Sequence, residues 1–405
     1  MKNHRFTKDH IRFLVVLPIL LAICAAVFFA IAIPRGSSSR RAILGSMDLT
    51  NEDLSEKIAF LDGEWEFYHG ELYGPTLPTD AKEPDYVTVP ASWDLMGYPL
   101  FGYGTYRLTL TSDEKRLMLL VPEIPDSALI YINGEEVFRA GRVGTNASEF
   151  TSKIRNAFVT FEPVNGQAEI LIQVSNYTWV ESGLRYRLEV GRPEVLLDDG
   201  MFRRVCVGVF AGMLLMMGLY HVILFFANRI YKAYLYFALL CIATAFRFCV
   251  ETNGLFQFFW DGGVSDFMFH IYITMMPVVI WVMLLFTREV FEIPKPKRFQ
   301  RVFFTAILAG ITIISIFVPY HLTGVEYIFF SLIPLVWTVV SAMKSPNIRK
   351  NPYLWLYLIA FVIYMFWGYL TKVIWQDELY MPGIASNLFM VMGQFVILAA
   401  DYSSV

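Results

Sequence analysis

Two hydrophobic rhythms divide the chain. Beyond residue 200, apolar residues run in long blocks at 203–227, 233–251, 267–287, 302–319, 325–343, 353–373 and 384–400. Each block is close to the roughly 20 residues that a helix needs to cross a bilayer core about 30 Å thick. One more such block, Phe13–Ile33, stands near the start and carries no charge. Between them the rhythm shortens to period two. Tyr106–Leu110, Leu117–Val121, Ala128–Ile132, Ala157–Phe161 and Ala168–Val174 read as strands separated by turn residues. Asn133-Gly134 follows one of them directly and is the pair that a tight type I′ hairpin needs at its two positive-φ positions. Many short strands without a long helix between them imply a β-sandwich. The expected fold is therefore a multi-domain membrane protein: an N-terminal transmembrane anchor, an exported β-sandwich, and a seven-helix transmembrane bundle.

Charge orients these spans. Lys2, Arg5, Lys8 and Arg12 precede the first; Arg229 and Lys232, then Lys295, Lys297, Arg298 and Arg301, then Lys344, Arg349 and Lys350 fill alternate connections. The connections 252–266, 320–324 and 374–383 contain neither Lys nor Arg. Basic loops mark the cytoplasmic side, so residues 1–12 and 403–405 are expected in the cytoplasm, 13–33 as the anchor, 45–198 outside, and 203–402 in the membrane. Arg35, Arg40, Arg41, Arg203 and Arg204 run against the rule, but they flank a whole domain, which translocates largely regardless of charge. Ala30-Ile31-Ala32 offers a cleavage site, yet the preceding apolar run exceeds a signal peptide's, and an uncleaved anchor is the preferred reading. Either outcome leaves 45–198 outside.

Composition then excludes function classes. Of 405 residues, 56% are hydrophobic and 17% charged, with a net charge of -3, which rules out a wholly cytosolic enzyme and gives no basic field for nucleic acid. Cys24, Cys206, Cys241 and Cys249 all fall in predicted spans, so the exported domain must be held by its own core rather than by disulfides. No Cys/His cluster has metal-ligand spacing and no glycine-rich phosphate loop occurs, so neither metal nor cofactor is expected.

Four segments recur in order across the exported domain: Leu61–Tyr68 (LDGEWEFY), Val89–Asp94 (VPASWD), Gly102–Arg107 (GYGTYR) and Tyr131–Val137 (YINGEEV). The series resembles the N-terminal sugar-binding jelly roll of β-galactosidase and β-glucuronidase type glycosidases. That resemblance implies a jelly roll but not hydrolysis, which in those enzymes belongs to a separate barrel. Glycoside hydrolysis also needs two carboxylates across the scissile bond, and nothing in the sequence pairs any two of Glu64, Glu66, Asp94, Glu135 and Glu136. No enzymatic activity is expected.

Binding has better support, because sugar rings stack on aromatic faces while polar groups receive their hydroxyls. Trp93, Asp94, Tyr98 and Tyr103 share one loop-rich stretch, Tyr177 and Trp179 another, and Arg139 and Arg142 follow the hairpin. These are the candidate ligand residues; core packing is the competing role for the aromatics, Trp65, Trp93 and Tyr106 above all. Asn146-Ala147-Ser148 and Asn176-Tyr177-Thr178 match the glycosylation pattern.

The order of anchor, exported β domain and seven spans is similar to that of bacterial seven-transmembrane receptors with diverse intracellular signalling modules. Gly212, Gly218-Leu219-Tyr220-His221 and Leu235-Tyr236-Phe237 are the most family-like residues of the block. The resemblance implies a cytoplasmic output such as a kinase, cyclase or phosphatase. No such motif follows Gly393-Gln394-Phe395, so the expectation is an output module missing from this sequence or supplied in trans. Charge within hydrocarbon is costly and marks His221, Arg247, Glu251 and Lys372 as coupling candidates. Pairing of Arg247 with Glu251, snorkelling of Lys372, and a hydrogen bond from His221 to a neighbouring helix are the simpler roles.

The leading reading is a receptor in the cell membrane whose partners are the lipid bilayer, an external small molecule, a carbohydrate by resemblance, and an intracellular signalling module in cis or in trans. A homodimer is compatible with it. The alternatives are a transporter or a scaffolding protein with an exported carbohydrate-binding domain.

Overall fold

The computed structural model describes residues 38–344 except 125–126, 154, 180–181, 228, 230, 252–265, 294, 318–335 and 342. The expected anchor 13–33, the expected spans 353–373 and 384–400, and most of the expected span 325–343 lie outside the described residues.

Eleven strands are described: β1 (Ser46–Asp48), β2 (Ala59–Phe60), β3 (Gly63–His69), β4 (Asp85–Val89), β5 (Gly102–Thr111), β6 (Leu117–Val121), β7 (Ser127–Ile132), β8 (Glu135–Ala140), β9 (Ala157–Phe161), β10 (Gln167–Asn176) and β11 (Glu189–Gly191). The larger sheet runs β4-β3-β5-β10-β7-β8, with β1 added in parallel beside the end of β5; the smaller runs β2-β11-β6-β9. All neighbours other than β1 and β5 are antiparallel. Period two puts Trp65, Phe67, Tyr106, Leu108, Ile130 and Ile172 on the inner face of the larger sheet. They share one core with Leu117, Leu119, Val121 and Val190 of the smaller. The β-sandwich is thus two sheets closed over alternating apolar positions. Asn133 (φ 49°) and Gly134 (φ 82°) make the turn between β7 and β8, as their positive-φ tolerance predicts.

β6 breaks the alternation. Every residue of Leu117–Val121 is buried, and a strand apolar on both faces must be covered on both. Leu117, Leu119 and Val121 face the sandwich core, while Met118 and Leu120 join Ile58, Val195 and Leu196 in a second, smaller cluster. Val195 and Leu196 belong to α1 (Pro193–Ala227), so the start of this helix is the missing cover. Proline suits a first helical position because its absent N–H would have no partner there. The helix therefore begins ten residues before the apolar run at 203, within the segment assigned from sequence to the exported domain.

α1 continues unbroken for 35 residues and is long and apolar enough to cross a bilayer. Next come α2 (Ala233–Glu251), α3 (Asp266–Val290) and α4 (Arg298–Phe317), each packed on the one before. These are the four long helices among the described residues, and the expected count of seven extends beyond them. Tyr234, Phe237, Ala238, Cys241 and Ala245 form one buried stripe of α2. Gly218 lets α1 approach it: a Cβ there would lie 2.8 Å from Ile242 and 3.2 Å from the Ala238 carbonyl. The opposite surface of α1 is apolar and exposed, as Val205, Val209, Met213, Met216, Leu219, Ile223 and Phe226 show. A patch of this kind suits lipid or further helices rather than water.

Candidate functional site

The outer face of the larger sheet carries the polar residues that alternate with the core. Because Tyr106 points inward, Tyr103, Thr105 and Arg107 point out, and the β5–β10 register sets Tyr103 beside Ser175, with Tyr177 just past the strand end. The two aromatic stretches separated in the sequence thus meet through Tyr103 and Tyr177, both half-buried. Phe150 stands edge-on to Tyr177 with ring centroids 5.5 Å apart. Ser175 fixes the adjoining loop, accepting from the Gly144 amide at 3.1 Å and donating to the Gly144 carbonyl at 2.9 Å. Arg142 and Glu149 are exposed on the same loop. Burial is the first cause that pushes the Tyr177 hydroxyl pKa up, followed by the nearby Tyr103 and Glu149.

The segment after β3 lies across this face. The Tyr73 amide donates to Thr105 Oγ1 (2.8 Å), Thr105 donates to the Glu71 carbonyl (2.8 Å), and Gln173 Nε2 donates to the Tyr73 carbonyl (3.0 Å). Lys82 pairs with Glu71 and sits within electrostatic reach of Tyr73 and Tyr103. Three tyrosines, a lysine, an arginine and two carboxylates therefore ring one end of the sheet. Aromatic faces with polar groups around them can bind a polyhydroxylated ring. Further along, Arg107 bridges Glu66 (2.9 Å) and Glu169 (2.7 Å), and Tyr68 donates to Glu66 (2.8 Å). Burial opposes the Arg107 charge, but its bonds to both carboxylates outweigh that and hold it protonated. Tyr73, Lys82, Phe150 and the Glu66–Arg107–Glu169 bridge escaped the sequence reading. Tyr73, Lys82 and Phe150 lie in connections with no period to mark them, and for the bridge strand alternation names a face but no register.

Trp93 is a core residue. It is wholly buried, donates from Nε1 to the Tyr106 hydroxyl at 2.7 Å, and packs near Phe67, so no ring face is open to a ligand. Trp179 is also buried, and its amide donates to Asn176 Oδ1 (3.0 Å). Asn176 Nδ2 in turn donates to the carbonyls of Leu100 (2.9 Å) and Trp179 (3.0 Å). This asparagine is fully buried and unavailable as a glycosylation acceptor, whereas Asn146 is exposed. Asp94 is exposed and accepts from Ser92 Oγ. Tyr98 stacks on His69 (5.0 Å, 26°) and donates to Asp85 (2.7 Å), apart from the Tyr103–Tyr177 group. Arg139 pairs with Glu136 on the edge strand β8.

Among the coupling candidates, His221 is buried, and its Nδ1 lies 2.8 Å from the Met217 carbonyl one turn back. This Nδ1 contact stays within its own helix, while the ring meets Phe237 of α2 edge-on at 4.6 Å. Arg247 and Glu251 sit on the last turns of α2 with side chains outside the described residues, as is the whole of Lys372.

Comparison with known proteins bears mainly on the helical region. A sequence profile of the family described as 7TM diverse intracellular signalling matches residues 203–400, just under half of the chain. No curated protein matches. A crystal structure of a GH2 β-galacturonidase from Eisenbergiella tayi bound to galacturonate is similar at 14% identity and TM-score 0.24, over 34% of this chain and 24% of that one. A β-glucuronidase from Ruminococcus gnavus in complex with N1-substituted uronic isofagomine is similar at 16% identity and TM-score 0.26, over 34% and 30%. The chain thus spans less than a third of either enzyme, and likenesses of this size bear on neither substrate nor activity. The profile match is the informative one: residues 203–400 are similar to the membrane domain of seven-transmembrane signalling receptors.

Proposed function

We propose that this protein is a transmembrane signal receptor whose exported β-sandwich senses a small polyhydroxylated ligand and biases the packing of the helices behind it. Support comes chiefly from one combination: residues 203–400 match a signalling membrane domain, and α1 joins them to the sandwich without a break. The Tyr103–Tyr177 end of the larger sheet is the proposed ligand site, with Tyr73, Lys82, Arg142 and Glu149 around it. A carbohydrate is the proposed class because the group combines aromatic faces with polar neighbours. The helices pass the bias to an output module in the same chain or on a partner, with the sandwich outside the cell and the basic loops inside. A ligand shifts such an equilibrium only by its differential affinity for the two states.

Saturation-transfer NMR with a panel of mono- and disaccharides on the full chain in nanodiscs tests this directly. Expected is transfer to at least one sugar, lost in Tyr103→Ala and Tyr177→Ala and kept in Arg139→Ala. No transfer to any of them, or transfer that survives both tyrosine variants, sinks the site. Flux of a bound sugar into sealed vesicles would replace the receptor with a transporter.

A further inference from the structure

Arg203 and Arg204, which run against the positive-inside pattern, are the two arginines through which α1 docks on the sandwich. Arg203 presents a two-pronged guanidinium to Glu189, with Nη1 3.1 Å from Oε1 and Nη2 3.2 Å from Oε2. Nη2 also lies 2.6 Å from Asp199 of the preceding helical turn. Glu189 lies on β11, between β2 and β6, so the contact reaches the interior of the smaller sheet. The carboxylate is nearly enclosed, with only 9% of its side chain exposed. Arg204 lies over the Phe158 ring at 5.3 Å. At Gly200 the backbone approaches that same ring so closely that a Cβ would sit 2.4 Å from it.

Positions 196, 200, 203 and 204 share one face of α1, since residues three and four apart are neighbours on a helix. The apolar part of this face, Val195 and Leu196, would hold the helix against β6 at several rotations. A charge fork opposite a single glutamate permits one. Replacing an enclosed ion pair by apolar groups is often neutral or even stabilising, so this pair is better suited to fixing an orientation than to adding stability. Past Arg204 the helix runs 23 further residues to Ala227 with no proline in it. At 1.5 Å per residue that is about 35 Å, enough to cross the hydrocarbon core.

We propose that Arg203, with Gly200 against Phe158, is an orientation lock that makes the sandwich and α1 one rigid body. A shift of the smaller sheet is then carried into the membrane as a tilt or rotation of that helix. The use of the lock in signalling rests on the receptor reading above; the lock itself does not.

The test is the distance distribution between two spin labels on the full chain in nanodiscs, with Cys24, Cys206, Cys241 and Cys249 replaced by alanine. Val164→Cys on the sandwich and Met216→Cys on α1 are both well exposed, at 60% and 69%. Expected is a narrow distribution that at least doubles in width in Arg203→Ala, with an intermediate width in Arg203→Lys. Gly200→Leu leaves the ion pair's chemistry intact but pushes the helix off Phe158, and it is expected to move the mean distance. Glu189→Gln keeps the side-chain shape and reads the same quantity should Arg203→Ala fail to fold. A distribution already broad in the unaltered chain, or unchanged by both Arg203→Ala and Gly200→Leu, overturns the lock. Because neither ligand nor output enters the measurement, a lock that holds in a protein that answers no ligand would count against the receptor reading alone.

Discussion

The sandwich and the helices treat the same side chains in opposite ways. In the sandwich, Trp65, Trp93 and Tyr106 have no exposure at all, while Glu66, Arg107 and Glu169 line the outer face of the sheet. In α1 the buried set includes small residues such as Ala211 and Gly218, and the exposed set includes Met213, Met216 and Ile223. Water drives the first arrangement, because apolar surface gains by leaving it. Lipid removes that drive, so close approach of backbones decides what packs inside. Where the two regimes meet, at 193–204, both are at work: an apolar seam on β6 and an enclosed ion pair beside it.

The contrast is open to attack from the core outward. Trp93→Ala should cost about 3–5 kcal/mol by emptying the sandwich core and removing the indole donor to the Tyr106 hydroxyl. Near-UV circular dichroism of the full chain during denaturation reads it. Unchanged stability with lost sugar binding would return Trp93 to the ligand site. Met216→Lys should cost about 2.5–3.5 kcal/mol of membrane insertion if that position faces lipid, while Val164→Lys on the sandwich should stay within about 0.5 kcal/mol. Equal effects on folded yield would mean that the two regions share one solvent.

Arg107→Met leaves Glu66 and Glu169 facing each other. A side chain 26% exposed tempers the loss to about 1–2 kcal/mol, readable by denaturant titration. Tyr98 gives a pH signature. Burial, then the hydrogen bond it donates to Asp85, pushes its hydroxyl pKa up to about 12. The unfolded chain loses this proton near pH 10, so its contribution to stability is full below about pH 10 and falls as pH rises toward about 12. Tyr98→Phe should flatten that alkaline decline in a melting-temperature series. Smallest of all, Arg139→Ala removes an exposed pair with Glu136 and should shift stability by a few tenths of a kcal/mol.

Much of this fold is written in local pattern. β6 and β9 occupy the residues that the sequence marks as strands, α2 coincides with the apolar run 233–251, and the Asn133-Gly134 turn has the expected dihedrals. Strands as short as β1, β2 and β11 show no period to detect. Their two or three residues are ordered by neighbours far along the chain. The candidate site was half visible for a related reason. Residue type marks Tyr103 and Tyr177, but the β5–β10 register brings them together, and that register also brings Arg107 to Glu169.

By itself, the sequence determined where apolar residues cluster and with what period, and hence a β domain followed by membrane helices. Those features depend on neighbours within a few residues. Tertiary structure alone decided that Trp93 is core, that Asn176 is sealed from solvent, and that the apolar run of β6 is covered by the start of α1. It also decided that Arg203 finds Glu189. Each of these depends on which distant surface arrives to exclude water or supply the opposite charge, and a one-dimensional pattern carries no record of that meeting.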